Sequence, residues 1–163
     1  MPLEAPTLAD CGSRLRVRTF SDETGGEIGT FNEHTRPVGT EVTGFIADAM
    51  IEVRALLPDD EDVLSAKILA YAQLLVEVRA CMSIEVRLGV DTSAEDSAYA
   101  RLNEIWVNGV GTDRANPGQL RSMLADAGQS RPDRARLVSA QLVTPFSGDA
   151  DLLEDDTLDE LMG

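Results

Sequence analysis

The chain has 163 residues, 43% of them hydrophobic and 26% charged, which is the amount and balance of about one soluble globular domain. Fourteen basic residues stand against 29 acidic ones, and the net charge of −15 disfavours wrapping around a nucleic-acid backbone, where Lys and Arg must neutralise phosphate. No stretch reaches the ~20 apolar residues of a membrane span, and the first residues lack the basic-then-apolar pattern of a secretory signal.

Thr7-Leu8-Ala9-Asp10 places an acid three positions after a threonine, the pattern of a helix N-terminus, and predicts a short helix over about 8–13. Arg14, Arg16 and Arg18 then alternate with Leu15, Val17 and Thr19, a period of two that predicts a half-exposed strand. The turn cluster Asp22-Glu23-Thr24-Gly25-Gly26 and the return Glu27-Ile28-Gly29-Thr30-Phe31 complete an expected β-hairpin over about 14–31. The three arginines read either as a basic stripe for a partner or as a solvated strand face.

Beyond Arg36-Pro37, the residues Val42, Phe45, Ile46, Ala49, Met50, Val53, Leu56 and Leu57 form one apolar stripe, so a helix is expected near 40–57, ended by Pro58. Four acids, Asp59 to Asp62, suit the positive end of a following helix over 62–88. That helix is apolar on most sides and should therefore be central, with Ile68, Leu75 and Met82 packed against Phe45, Ile46, Leu102 and Trp106. Its charged positions, Glu77, Arg79, Glu85 and Arg87, read as a solvated strip, as internal ion pairs or as functional groups. Gly89 should close it. Tyr99, Leu102, Ile105, Trp106, Gly109 and Val110 mark a third long helix near 96–110, with Gly109 and Gly111 loosening its end.

After Thr112 the chain is punctuated by Pro117, Gly118, Gly128, Pro132, Pro145 and Gly148, with a short helix expected over 119–127. Residues 114–148 hold five Arg and two Asp, whereas residues 149–163 hold seven acids and no base. Leucines spaced along that acidic end suit a docking peptide as well as a solvated tail.

Catalytic patterns are sparse. The single histidine, His34, lies by a Pro-bounded turn, and no Ser or Cys occupies a nucleophile elbow. Gly25-Gly26-Glu27-Ile28-Gly29 is too short for a dinucleotide fingerprint, and Asp59 to Asp62 lack the alternation of a calcium loop. Cys11 and Cys81 lie far apart without metal-ligand spacing, so reduced thiols are expected. The expectation is a protein with no catalytic residues, cofactor or metal.

The run Gly29-Thr30-Phe31-Asn32-Glu33-His34-Thr35-Arg36-Pro37, followed by Val42-Thr43-Gly44-Phe45-Ile46, resembles the head-to-tail connector (adaptor) proteins of long-tailed bacteriophages. Ala80-Cys81-Met82-Ser83-Ile84-Glu85 and Ser97-Ala98-Tyr99-Ala100-Arg101-Leu102 resemble their second and third helices, and Pro6-Thr7-Leu8-Ala9-Asp10 their opening. The likeness covers roughly residues 6–111 and lies in the order of these segments. It departs where the family often caps the first long helix with Thr or Ser; here Val38-Gly39 stands, leaving Thr40 as the expected cap.

The resemblance implies a mainly α fold: a small helical bundle of three long helices and a short N-terminal helix, with a β-hairpin and an extended C-terminal arm. Residues 1–112 would form the adaptor core and residues 113–163 the arm with its acidic end. It implies a ring, usually dodecameric, in the head-tail neck of the virion, assembled in the host cytoplasm. One face would meet the portal protein and the other a tail-side stopper or tail terminator, with DNA passing through the centre without sequence-specific binding and no membrane involved. The residues expected at partner interfaces are Arg14, Arg16, Arg18, Arg131, Arg134, Arg136, Leu137, Leu142, Phe146, Leu152, Leu153, Leu158 and Leu161. Two other classes remain open on the residues: a small helical regulatory module that binds a protein through its acidic C-terminal segment, and an enzyme with scattered catalytic residues.

Overall fold

The computed structural model describes residues 2–129 apart from 22, 90, 91, 93, 95, 96, 113 and 114. The described chain is helical: α1 (Leu8–Arg14), α2 (Gly39–Arg54), α3 (Ala66–Arg87), α4 (Ala98–Val110) and α5 (Gly118–Asp126), with short 3-10 turns at Arg16–Arg18 and Glu61–Val63.

Each start has a local cause. Thr7 Oγ1 accepts from Asp10 N–H while the Asp10 carboxylate accepts from Thr7 N–H, closing a capping box. Thr7 N–H and the Thr7 hydroxyl both reach the Asp10 carboxylate, favour its ionised form and hold it below the ordinary aspartate value. Ser65 and Ser97 cap α3 and α4 by accepting from Ile68 N–H and Ala100 N–H. The acids before α3 do not enter its first turn. Asp60 instead accepts from Asp62 N–H, and Glu61 turns back to receive Leu3 N–H at 2.6 Å. Arg54 donates to Leu3 O and pairs with Glu61, so the N-terminal residues are pinned beside the end of α2.

Helix α3 is the centre. Helices α2 and α4 pack along it, and α1 and α5 also touch it. Ile68, Ala72, Leu75, Val76, Val78, Ala80, Cys81, Met82 and Ile84 are all buried, so cover extends around most of the helix. Ile46, Leu102 and Trp106 join this core, and Phe45 packs half-buried against it. Val86, one turn beyond buried Met82, is exposed. Gly89 closes α3 in the left-handed region at φ 68°.

The expected β-hairpin over 14–31 is not what forms. The segment ends α1, makes the 3-10 turn Arg16–Arg18, and reverses over 19–28 with a single antiparallel bridge, Phe20 to Glu27. The described residues contain no strand. The reason is that alternation of Arg with apolar residues permits a second solution. Coiled, the chain points Arg14 and Arg18 at acids on α3, a gain that a free-standing two-stranded ribbon cannot match.

Gly109 does not loosen α4. It is buried, and a β-carbon there would collide with Leu75, so its absence lets α4 approach α3. The α4–α5 turn brings Gly111 and Gly118 backbone to backbone. Helix α5 lies in the stretch expected to belong to the arm, yet Leu120 and Leu124 are buried in the common core. The core therefore runs through Leu124.

Two sets of variants check this packing. Leu75→Ala, at a position with no exposed surface, should lower stability by about 2–5 kcal/mol in urea denaturation. In Gly12→Ala a new β-carbon would meet the Gly29 carbonyl and Thr30 Cα, costing about 1–3 kcal/mol, whereas Gly44→Ala meets open space on α2 and should stabilise by about 0.5–1 kcal/mol.

Candidate functional site

The residues that the resemblance ties together lie in the loop before α2. Phe31 is buried, and so is Thr35. The Thr35 hydroxyl accepts from Asn32 N–H at 3.0 Å and lies within hydrogen-bonding distance of the Asn32 and Pro37 carbonyls. Asn32 Oδ1 accepts from His34 N–H, and Asn32 O accepts from Gly39 N–H. His34 stands at the surface between Glu23 and Glu33, 3.1 and 3.2 Å away. The Thr-Arg-Pro run thus sets the entry into α2.

That entry also explains the departure at Val38-Gly39. The helix begins at Gly39 and not after a Thr40 cap; Val38 is its N-cap, and Val38 N–H donates to the Glu41 carboxylate. A β-carbon on residue 39 would press on Phe31 O and Leu8 Cδ1, so a glycine suits the place where the loop crosses the helix start.

Glu77, Arg79, Glu85 and Arg87 of α3 are each paired within the chain. Arg14 Nε reaches Glu77 at 2.7 Å, and Arg18 holds Glu85 with two bonds of 2.9 Å. Arg79 grips Glu52 of α2 with two bonds of 2.6 and 3.0 Å, and its guanidinium lies 5.6 Å from the Trp106 ring centre. Arg87 reaches Glu41 at 3.5 Å. The Glu85 side chain is 1% exposed and that of Arg18 32%, so one charge is buried and its partner links it to solvent. Hydrogen bonding to Glu85 raises Arg18 above its ordinary value, against burial acting the other way. These groups are structural ion pairs.

Of the residues expected at partner interfaces, Arg14 and Arg18 are therefore engaged on α3, and Arg16 is exposed between them. Arg131, Arg134, Arg136, Leu137, Leu142, Phe146, Leu152, Leu153, Leu158 and Leu161 lie outside the described residues. Sequence reasoning missed the outward-facing apolar side chains. Val17 is 72% exposed, Ile51 69% and Val86 55%, and Phe20 and Val63 are each 49% exposed. Ile51 follows Met50 of the α2 stripe and Val86 lies one turn beyond Met82, and only the packing angle of each helix could show that they face out.

Among the described residues no group of three His, Cys, Asp or Glu is placed to hold a metal ion, and no helix is long and apolar enough to cross a membrane. Among the described residues, two open clefts stand out. One of about 420 Å³ lies between α4 and α5, lined by Val107, Asn108, Gln119, Ser122 and the turn joining the helices. The other, of about 260 Å³, lies between the N-terminal residues and the start of α3. Neither gathers a nucleophile with a base. Comparison with protein-family models, curated protein sequences and solved structures returned no match.

The Arg18–Glu85 pair is directly testable. Arg18→Ala strands a buried carboxylate and should lower stability by about 3 kcal/mol, measured by thermal denaturation. The double variant R18M/E85M, which removes both charges and keeps the volume, should recover most of that loss.

Proposed function

We propose that the chain is a structural virion protein of the head-tail connector class. In this reading, copies form a ring below the portal vertex, most simply a dodecamer as is usual in that class. The ring receives a stopper or tail terminator on its other side and surrounds the DNA channel without performing chemistry. The observation that carries the reading is the ordered likeness over residues 6–111: its segments fall on α1, on the loop that seats α2, and on α3 and α4 of one helical body. A net charge of −15 suits a lining past which DNA slides without sticking. Outward-facing Val17, Phe20, Ile51 and Val86 suit contacts with neighbouring copies.

The test is assembly. Purified protein mixed with portal-bearing, DNA-filled heads should bind as a closed ring, visible by electron microscopy and countable by mass. A regulatory module acting through its acidic end would instead remain a monomer or dimer and ignore the heads. Since α5 packs into the core, the informative truncation removes residues 130–163. It should keep the helical circular-dichroism signal and the cooperative unfolding of the full chain while losing attachment to the particle. Normal attachment of the truncated chain would reject a role for the arm.

A further inference from the structure

Cys11 and Cys81 are 70 residues apart in sequence and meet between α1 and α3. Both are wholly buried, and the Cys81 thiol donates toward Cys11 O across 3.9 Å. The Cys81 sulfur thus lies directly against residue 11, with both side chains enclosed between the two helices. On the same face of α3, Glu77 and Glu85, one turn to either side of Cys81, take Arg14 and Arg18. The pair therefore sits at the centre of the contact that holds the N-terminal segment, bracketed by two ion pairs.

We propose that Cys11 and Cys81 are a modification site: a dithiol that a peroxide-class oxidant converts to a disulfide tying α1 to α3. The reaction balances with hydrogen peroxide alone. One thiol gives up its proton and its sulfur attacks a peroxide oxygen; the O–O bond breaks, the departing oxygen leaves as water, and a sulfenic acid remains. The second sulfur, also deprotonated, attacks the first; the S–O bond breaks and a second water leaves. Two thiols lose two electrons, and peroxide is reduced to two waters.

Contact with Cys11 and burial both push the Cys81 thiol far above the ordinary cysteine value. Both thiols are wholly buried, so attack needs α1 to lift, and α1 is only seven residues long. The site is closed to oxidant while α1 is docked, and once the disulfide forms α1 can no longer lift. The chemistry stands independently of the connector reading. If that reading holds, the thiols stay reduced in the cytosol and close after particles reach an oxidising medium.

The full chain is treated with hydrogen peroxide in buffer and in urea well below its unfolding midpoint, then denatured, alkylated with a maleimide and weighed. The expected product has lost two hydrogens, takes up no maleimide, and on non-reducing digestion links the Cys11 peptide to the Cys81 peptide. Dithiothreitol reverses it, its melting temperature is raised, and its formation is faster in urea. C11S and C81S should each keep one alkylatable thiol and form no internal link. The proposal is overturned if both thiols still alkylate in the urea arm, if they oxidise separately to sulfinic acids, or if only intermolecular dimers form.

Discussion

Helix α3 cannot stand in water on any broad face, and the rest of the molecule is arranged to cover it. A helix apolar around most of its circumference is stable only when enclosed. Four neighbours enclose this one. Its few charges then face a second constraint, because a buried charge without a partner is far costlier than the apolar surface around it is favourable. Three of the covering segments answer with a partner: Arg14 and Arg18 from the N-terminal segment, Glu52 from α2, and the Trp106 ring from α4. Apolar area supplies the drive to enclose α3, and the ion pairs select which side chains meet.

The loop before α2 has a related character. Phe31 and Thr35 are buried, the Thr35 hydroxyl replaces the hydrogen bonds that the backbone loses there, and Gly39 permits the crossing with the helix start. A run of residues that reads as a motif thus has a mechanical role: it delivers α2 to α3 at a set angle. A likeness resting on such residues speaks about architecture, which is the level at which a connector would work. Rings are built from shape, close backbone approach and outward-facing apolar side chains, with no need of a reactive centre.

The N-terminal segment shows how interactions of different strengths converge on one contact. A capping box begins α1, Gly12 lets it lie against the 29–30 backbone, Arg14 and Arg18 reach acids of α3, and the Cys81 thiol lies against Cys11 beneath it. No single one of these is large for a seven-residue helix. Together they bind the least self-sufficient part of the chain to its most buried helix.

Helix positions were legible in the amino-acid pattern, because a 3.6-residue apolar period, the threonine cap of α1 and the glycine closing α3 act within a few residues of one another. The centrality of α3 was legible for the same reason: its composition excludes exposure. Tertiary contact decided the remainder. Alternating Arg14, Arg16 and Arg18 satisfy a strand equally well until Glu77 and Glu85, more than sixty residues away, make the coiled alternative the better one. Gly109 reads as a weak point until Leu75 is known to press on it, and α5 reads as part of an arm until Leu120 and Leu124 find the core. Cys11 and Cys81 carry no spacing signal at all. Local propensity depends on near neighbours, whereas the pairing of a charge, a thiol or a glycine depends on which distant segment packing brings alongside.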